Sequence, residues 1–228
     1  MIQEPKHNEI NALVRLMEDP DPAIFKNVSE RLRNFGLPVV SVLEKEWSRG
    51  ANGLPHQDKI ERLIREIRVD DIKYDLVKWR ASSNRDLLKG AMILNRFRYP
   101  NLDCAAIEVE MDRISRKVWL EINDGNTAFE IVKVINHVLF EQCGFKVSET
   151  DFHAPRHSYI DTLLKSKMGN QLSLTILYSI IAQRLEIPIY GVNFHTHQVL
   201  GFVDEHQTLK MLGLSDDRNI LFYINPER

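Results

Sequence analysis

The chain has 228 residues, 43% of them apolar, enough to bury the core of one large domain or of two ordinary ones. A formal charge of -2 and a pI of about 6.5 provide no net field to draw in nucleic acid or an anionic membrane surface, so neither is an expected partner. No apolar run approaches the roughly 18 residues of a membrane span, and "MIQEPKHNEI" lacks the basic and apolar blocks of a secretion signal, so a cytoplasmic location is expected.

Residues 7 to 48 carry apolar side chains at helical spacing in three pieces: Ile10, Leu13, Leu16 and Met17; Ile24, Val28 and Leu32; Val39, Val42, Leu43 and Trp47. "DPDP" separates the first two, with Asp21 as N-cap and Pro22 at the first helical position, and "GLP" repeats the arrangement at 36 to 38. The pattern predicts a compact helical unit of the HEAT type in a single copy, too few for a solenoid. "RGANGLPH" (49 to 56) is the expected boundary, dividing the chain into a helical unit at 1–52 and a second domain at 53–228.

Helices are then expected over 57–81, 86–97, 103–122 and 127–142, with Asp86 and Asp103 as N-caps and "QCGF" as a glycine stop. The mixed charges of Lys59 to Arg98 read as a solvated helical face. After "DFHAPRHSY" comes a short helix at 158–167, for which His157 or Ser158 is the expected cap and near which His153 sits in a turn. A longer helix at 171–186 is apolar on nearly every face and so belongs inside a domain. Strands at 189–194, 197–203 and 219–224 close the chain. Helices first and strands late predict an α+β fold with a small antiparallel sheet. The N-terminus of the 171–186 helix, opened by Gly169, favours negative charge through its unpaired N–H groups and its dipole. A thiolate or an anionic ligand suits such a place.

"LLKGAMILNRFRYPNLD", "HSYIDTLLKSKMGNQLSLTILYSIIAQRLEIPIYGVNF", the histidine of "HTHQVL" and "FYINP", in that order from Asp86 to Pro226, resemble the SirB-type branch of the transglutaminase-like superfamily. Residues 1 to 48 are similar to the helical repeat that often precedes this domain in related bacterial proteins. The resemblance implies a papain-like fold and a Cys, His, Asp triad, whose positions fall here on Gln171, His197 and Asn225. "EIP" at 186 to 188 stands where enzymatic members tend to have "GIP". The branch itself commonly lacks the cysteine. Members usually continue beyond the point where this chain ends at "INPER", so a domain shortened at its C-terminus is expected.

A glutamine amide has no ionisable proton and cannot attack a carbonyl. Asn225 could orient His197, as an asparagine does in papain-like proteases, and Gln171 could donate to an oxyanion. Ser173 lies about 200 degrees round the helix from Gln171 and is expected to bond backbone, whereas Thr175 shares the Gln171 face one turn deeper and is expected to pack. Cys104 and Cys143 lack metal-ligand spacing, fall outside the triad positions and read as reduced structural thiols. His195 and His197 share a strand face but make only half a zinc site, so no metal and no cofactor is expected. The expected function is therefore a non-catalytic domain that binds a protein or peptide partner. The alternative is a cysteine-independent hydrolase or acyl transferase that uses His197 as base for water or Ser173. A weaker third reading is a small-anion sensor at the helix N-terminus. Oligomeric state has no signature in the sequence.

Overall fold

The computed structural model describes residues 7–49, 54–148, 154–193, 198–204 and 219–226. They divide into two compact units, Met1–Ala81 and Ser82–Arg228. The divide therefore falls well after the expected 52/53 boundary. The reason is that Ile60, Leu63, Ile64 and Ile67 of α4 (Leu54–Ala81) share one apolar core with the three helices before it.

Those helices are α1 (His7–Leu16), α2 (Pro22–Phe35) and α3 (Val40–Arg49), the last entered through a 3-10 turn at Leu37–Val39. Asp21 caps α2 by accepting from Ala23 N–H at 2.8 Å, and Gly36 leaves the helix at a φ of 70 that a side chain would resist. Ile10, Val14, Met17, Val28, Leu32, Val39 and Leu43 are all buried. On the surface Arg33 of α2 bridges Glu66 and Asp70 of α4.

The second unit begins with α5 (Leu87–Arg98) and α6 (Cys104–Glu121), capped by Asp86 through Lys89 N–H (3.1 Å) and by Asp103 through Ala106 N–H (3.0 Å). Thr127 and Glu130 form a reciprocal capping box that opens α7 (Ala128–Asn136). The single helix expected over 127–142 changes pitch: residues His137–Gln142 are π-helical, with Cys143 N–H bonding back to Val138 O at 2.9 Å. The wider turn brings Ile135, Val138 and Leu139 together into the core, and Gly144, at φ 72, ends it.

Two strands too short to leave a period-two pattern, β1 (Lys146–Val147) and β2 (Met168–Gly169), pair in parallel on either side of α8 (Ile160–Ser166). The cap expected for α8 at His157 or Ser158 is not formed. Those residues lie in a 3-10 turn at Pro155–Ser158, Tyr159 is the N-cap without a side-chain bond, and Ser158 turns its hydroxyl elsewhere.

Helix α9 (Gln171–Arg184) runs through the middle of this unit, with Leu174, Leu177, Tyr178, Ile180, Ile181 and Ala182 all buried. The sheet β3 (Ile189–Asn193), β4 (Gln198–Val203), β5 (Ile220–Ile224) is antiparallel in that order. Tyr190 faces Gly201 and Gly201 faces Tyr223, a register that sends Leu200, Phe202 and Ile224 to the buried face. The turn between α9 and β3 places Glu186 at φ 54, the left-handed region that glycine occupies without strain. The described residues are helix-rich with two small sheets.

Candidate functional site

The N-terminus of α9 is assembled from two of the sequence motifs. Asn170 is the N-cap: its Oδ1 accepts from Ser173 N–H at 3.0 Å, while Ser173 Oγ accepts from Asn170 N–H at 3.1 Å. The same hydroxyl reaches Asn170 O at 3.1 Å, so both its donor and acceptor capacities are used, and Ser173 is 1% exposed. The Asn170 amide nitrogen donates to Ser158 Oγ at 2.8 Å, and Asn170 N–H also reaches His157 O at 3.3 Å. "HSY" and "GNQLS" are thus tied to each other, and the tie sets where α9 begins. Gly169 is required there, because a Cβ would lie 2.7 Å from Leu163 Cδ1 and closer still to Ser173 Oγ.

Gln171 is the first residue of α9 and half-buried; its amide makes no hydrogen bond among the described residues. Thr175, on the same face one turn deeper, is buried, and its Oγ1 has no partner among the described residues. Tyr178, a further turn down, is fully buried with its hydroxyl unpartnered, and burial pushes its phenol well above the ordinary range. This face therefore carries polar groups inward from the helix end without giving them partners among the described residues.

Asn225 follows β5 directly and is half-buried. The register that pairs Leu200 with Ile224 places it beside the start of β4. The register puts the end of β3, the start of β4 and the end of β5 at the same end of the sheet. His153, His195 and His197 lie outside the described residues. Gln171, Ser173 and Thr175 thus lie in the first turns of α9, and Asn225 lies at the end of the sheet where β4 starts. Both cysteines are free and half-buried against the core of the second unit.

A family profile described as "Transglutaminase-like superfamily" matches residues 105–227, more than half of the chain. The chain belongs to the transglutaminase-like superfamily. It is similar to a UPF0162 protein of Xylella fastidiosa, 26% identical over 111 residues that cover 49% of this chain and 40% of the relative. A UPF0162 protein of Vibrio cholerae is 25% identical over 144 residues, covering 62% of this chain and 48% of the relative. Mouse "F-box only protein 21" is 31% identical over 71 residues, 31% of this chain and 11% of the relative. The chain spans less than half the length of these curated relatives. No solved structure matches it.

In this transglutaminase-like domain, the described end of α9 holds an amide, a hydroxyl consumed by capping and a threonine hydroxyl closed off from solvent. An amide can donate or accept a hydrogen bond but cannot form an acyl-enzyme. Among the described residues no group of three or more His, Cys, Asp or Glu side chains could hold a metal ion, and no helix is long and apolar enough to cross a membrane.

Sequence reading missed one charged cluster. Arg113 of α6 grips Glu110 through two bonds, Nε to Oε2 at 2.7 Å and Nη2 to Oε1 at 2.8 Å, and Lys167 Nζ adds a third at 2.9 Å. These cations, Arg113 foremost, hold the Glu110 carboxyl down at about 2 against the opposing effect of burial. Lys167 Nζ also lies 4.5 Å from the Phe145 ring centre, and its backbone sits at φ 59. The cluster fastens α6 to the turn before β2, and so to the segment that positions Gly169. The i,i+3 spacing of Glu110 and Arg113 was visible in the sequence, but Lys167, 57 positions on, was not.

Proposed function

We propose that this chain is a non-catalytic, SirB-type transglutaminase-like domain, joined to a HEAT-like helical unit, that binds a protein or peptide partner in the cytoplasm. The observation that carries the reading is the chemistry at the head of α9: Gln171 stands at the position the family resemblance gives to the nucleophile. The Ser173 hydroxyl cannot replace it, because Ser173 is 1% exposed and spends its Oγ on the cap. Asn225 in place of an acid is compatible with either a binding or a catalytic past. The end of α9 then offers free N–H groups, the Gln171 amide and the exposed Leu172 side chain (38% exposed) as contacts for a polypeptide.

The test has two arms. Treating the full chain with a panel of acyl-donor and other electrophilic probes is expected to leave every side chain around α9 unlabelled. Gln171→Cys, in contrast, is expected to react with iodoacetamide with a thiol pKa below the ordinary value of about 8.5, lowered by the helix N-terminus. A covalent adduct on the unaltered protein, abolished by His197→Ala, overturns the reading in favour of an enzyme. For a partner captured by the unaltered chain, Leu172→Glu is expected to abolish capture and His197→Ala to leave it intact.

A further inference from the structure

Away from the head of α9, the described residues form a groove of about 600 Å³ between the α5–α6 turn and the outer face of α8, within the size range of small-ligand sites. Its deepest charge is the Asp161 carboxylate, whose side chain is 9% exposed. The counter-charge is Lys165 Nζ at 2.9 Å, on a side chain that is 76% exposed. A carboxylate this far out of water is thus balanced by a lysine free to swing away. Its backbone, in contrast, is fixed. The Asn95 amide, 2% exposed and oriented so that its nitrogen donates to Ala91 O at 3.2 Å, accepts from Asp161 N–H at 2.9 Å. Beside it, Tyr99 meets Thr162 Oγ1 through its hydroxyl at 3.3 Å and stands edge-on to Tyr159 with ring centres 5.9 Å apart.

The lining also includes Arg98 and Asp103. Asp103 is occupied in capping α6, and Asp161 and Asp103 both act on Lys165, raising its pKa, with Asp161 the larger cause. Two acids and two bases therefore share the groove. A simple anion would meet Asp161, Asp103 and the negative end of α5; a simple cation would meet Lys165 and Arg98. A molecule carrying both charges meets neither objection.

We propose that this groove binds a small zwitterion of the amino-acid type, whose ammonium replaces Lys165 Nζ at Asp161 and whose carboxylate is held by the freed Lys165 ammonium and the Arg98 guanidinium. One ion pair becomes two, each charge-assisted, with the Tyr99 ring as a side wall. This site is separate from the head of α9 and does not depend on what that region does.

The test is a calorimetric and NMR titration of the full chain with the free α-amino acids, each with its N-acetyl derivative and the corresponding amine that lacks the carboxylate. Saturable binding of at least one amino acid is expected, with amide shifts confined to 95–103 and 160–166. Its N-acetyl derivative and its amine are expected to bind at least about tenfold more weakly, as is the amino acid itself to Asp161→Asn and to Arg98→Gln. Arg98 is exposed, so a loss in that variant is not a folding defect. Absence of saturation across the set, equal binding of the acetylated form, or binding that survives both substitutions overturns the proposal.

Discussion

Replacing Gly169 with alanine probes the region on which the head of α9 rests. The added Cβ would stand 2.7 Å from Leu163 Cδ1, which is fully buried, and would overlap the Ser173 hydroxyl that completes the cap. Neither neighbour can move freely: Leu163 is enclosed by the core, and Ser173 Oγ is held at 3.1 Å by Asn170 N–H. Breaking the reciprocal cap costs about 1 kcal/mol, and forcing a methyl group into a filled site costs about 1–3 kcal/mol. The sum predicts a loss of about 2–4 kcal/mol in the second unit. Because the chain has two compact units, the readout is urea-dependent hydrogen exchange on peptides covering 157–185, which reports this unit alone. Ser173→Ala by itself should cost about 1 kcal/mol. The double variant should be less destabilised than the two single losses added together, since one obstacle to the new methyl is gone. A loss under about 0.5 kcal/mol for Gly169→Ala, or strict additivity in the cycle, would refute the claim that Gly169 exists to admit the Ser173 cap.

Four further substitutions test separate features. Tyr178→Phe and Thr175→Val remove buried hydroxyls that have no partner among the described residues, so chemical denaturation should show each variant unchanged or more stable by up to about 1 kcal/mol; a loss above that would mean the hydroxyl is bonded. Glu186→Gly relieves a left-handed backbone and should raise the thermal midpoint, the gain of about 1 kcal/mol being partly offset by glycine's greater freedom when unfolded. Glu110 is held at about 2, below its ordinary 4.5, so the stability it contributes is complete above pH 4.5 and is lost as pH falls toward 2. The deficit of Glu110→Gln relative to the unaltered protein, about 1–2 kcal/mol near pH 6 after solvent screening, should therefore close across that interval. A deficit independent of pH would assign the effect to packing.

Much of the fold was legible because the helices carry their own signals. Asp21, Asp86 and Asp103 each cap the helix they were expected to cap, and the all-round apolar pattern of α9 marked it as interior. The features that escaped are those with no local signature. β1 and β2 contribute two residues apiece, and their pairing joins positions on opposite sides of α8. The π-helical turns at His137–Gln142 keep helical spacing closely enough to pass as a plain continuation of α7. The boundary was misplaced because a Gly- and Pro-rich loop shows where the chain bends, whereas a unit ends where apolar contacts stop, and those of α4 extend past that loop. At the candidate site, the bonding of Ser173 to backbone was legible in the sequence. The cap partners were not, because Asn170 reaches Ser158 across 12 positions and Gly169 acts only through the space it leaves empty.

The motif that most suggests chemistry in this chain has a complete structural explanation. In "GNQLS" the glycine gives room, the asparagine caps and ties down the preceding turn, and the serine returns the cap; Leu172 is exposed and Gln171 half-buried, and neither takes part in the cap. An enzyme built on this frame needs those same three residues to aim a nucleophile from the second position after the glycine. A binding domain needs them to hold a rigid helix end toward a partner. The frame is therefore silent on catalysis, and the decision rests on the one side chain it displays. The Gln171 carboxamide at that place can donate or accept a hydrogen bond but cannot form an acyl-enzyme.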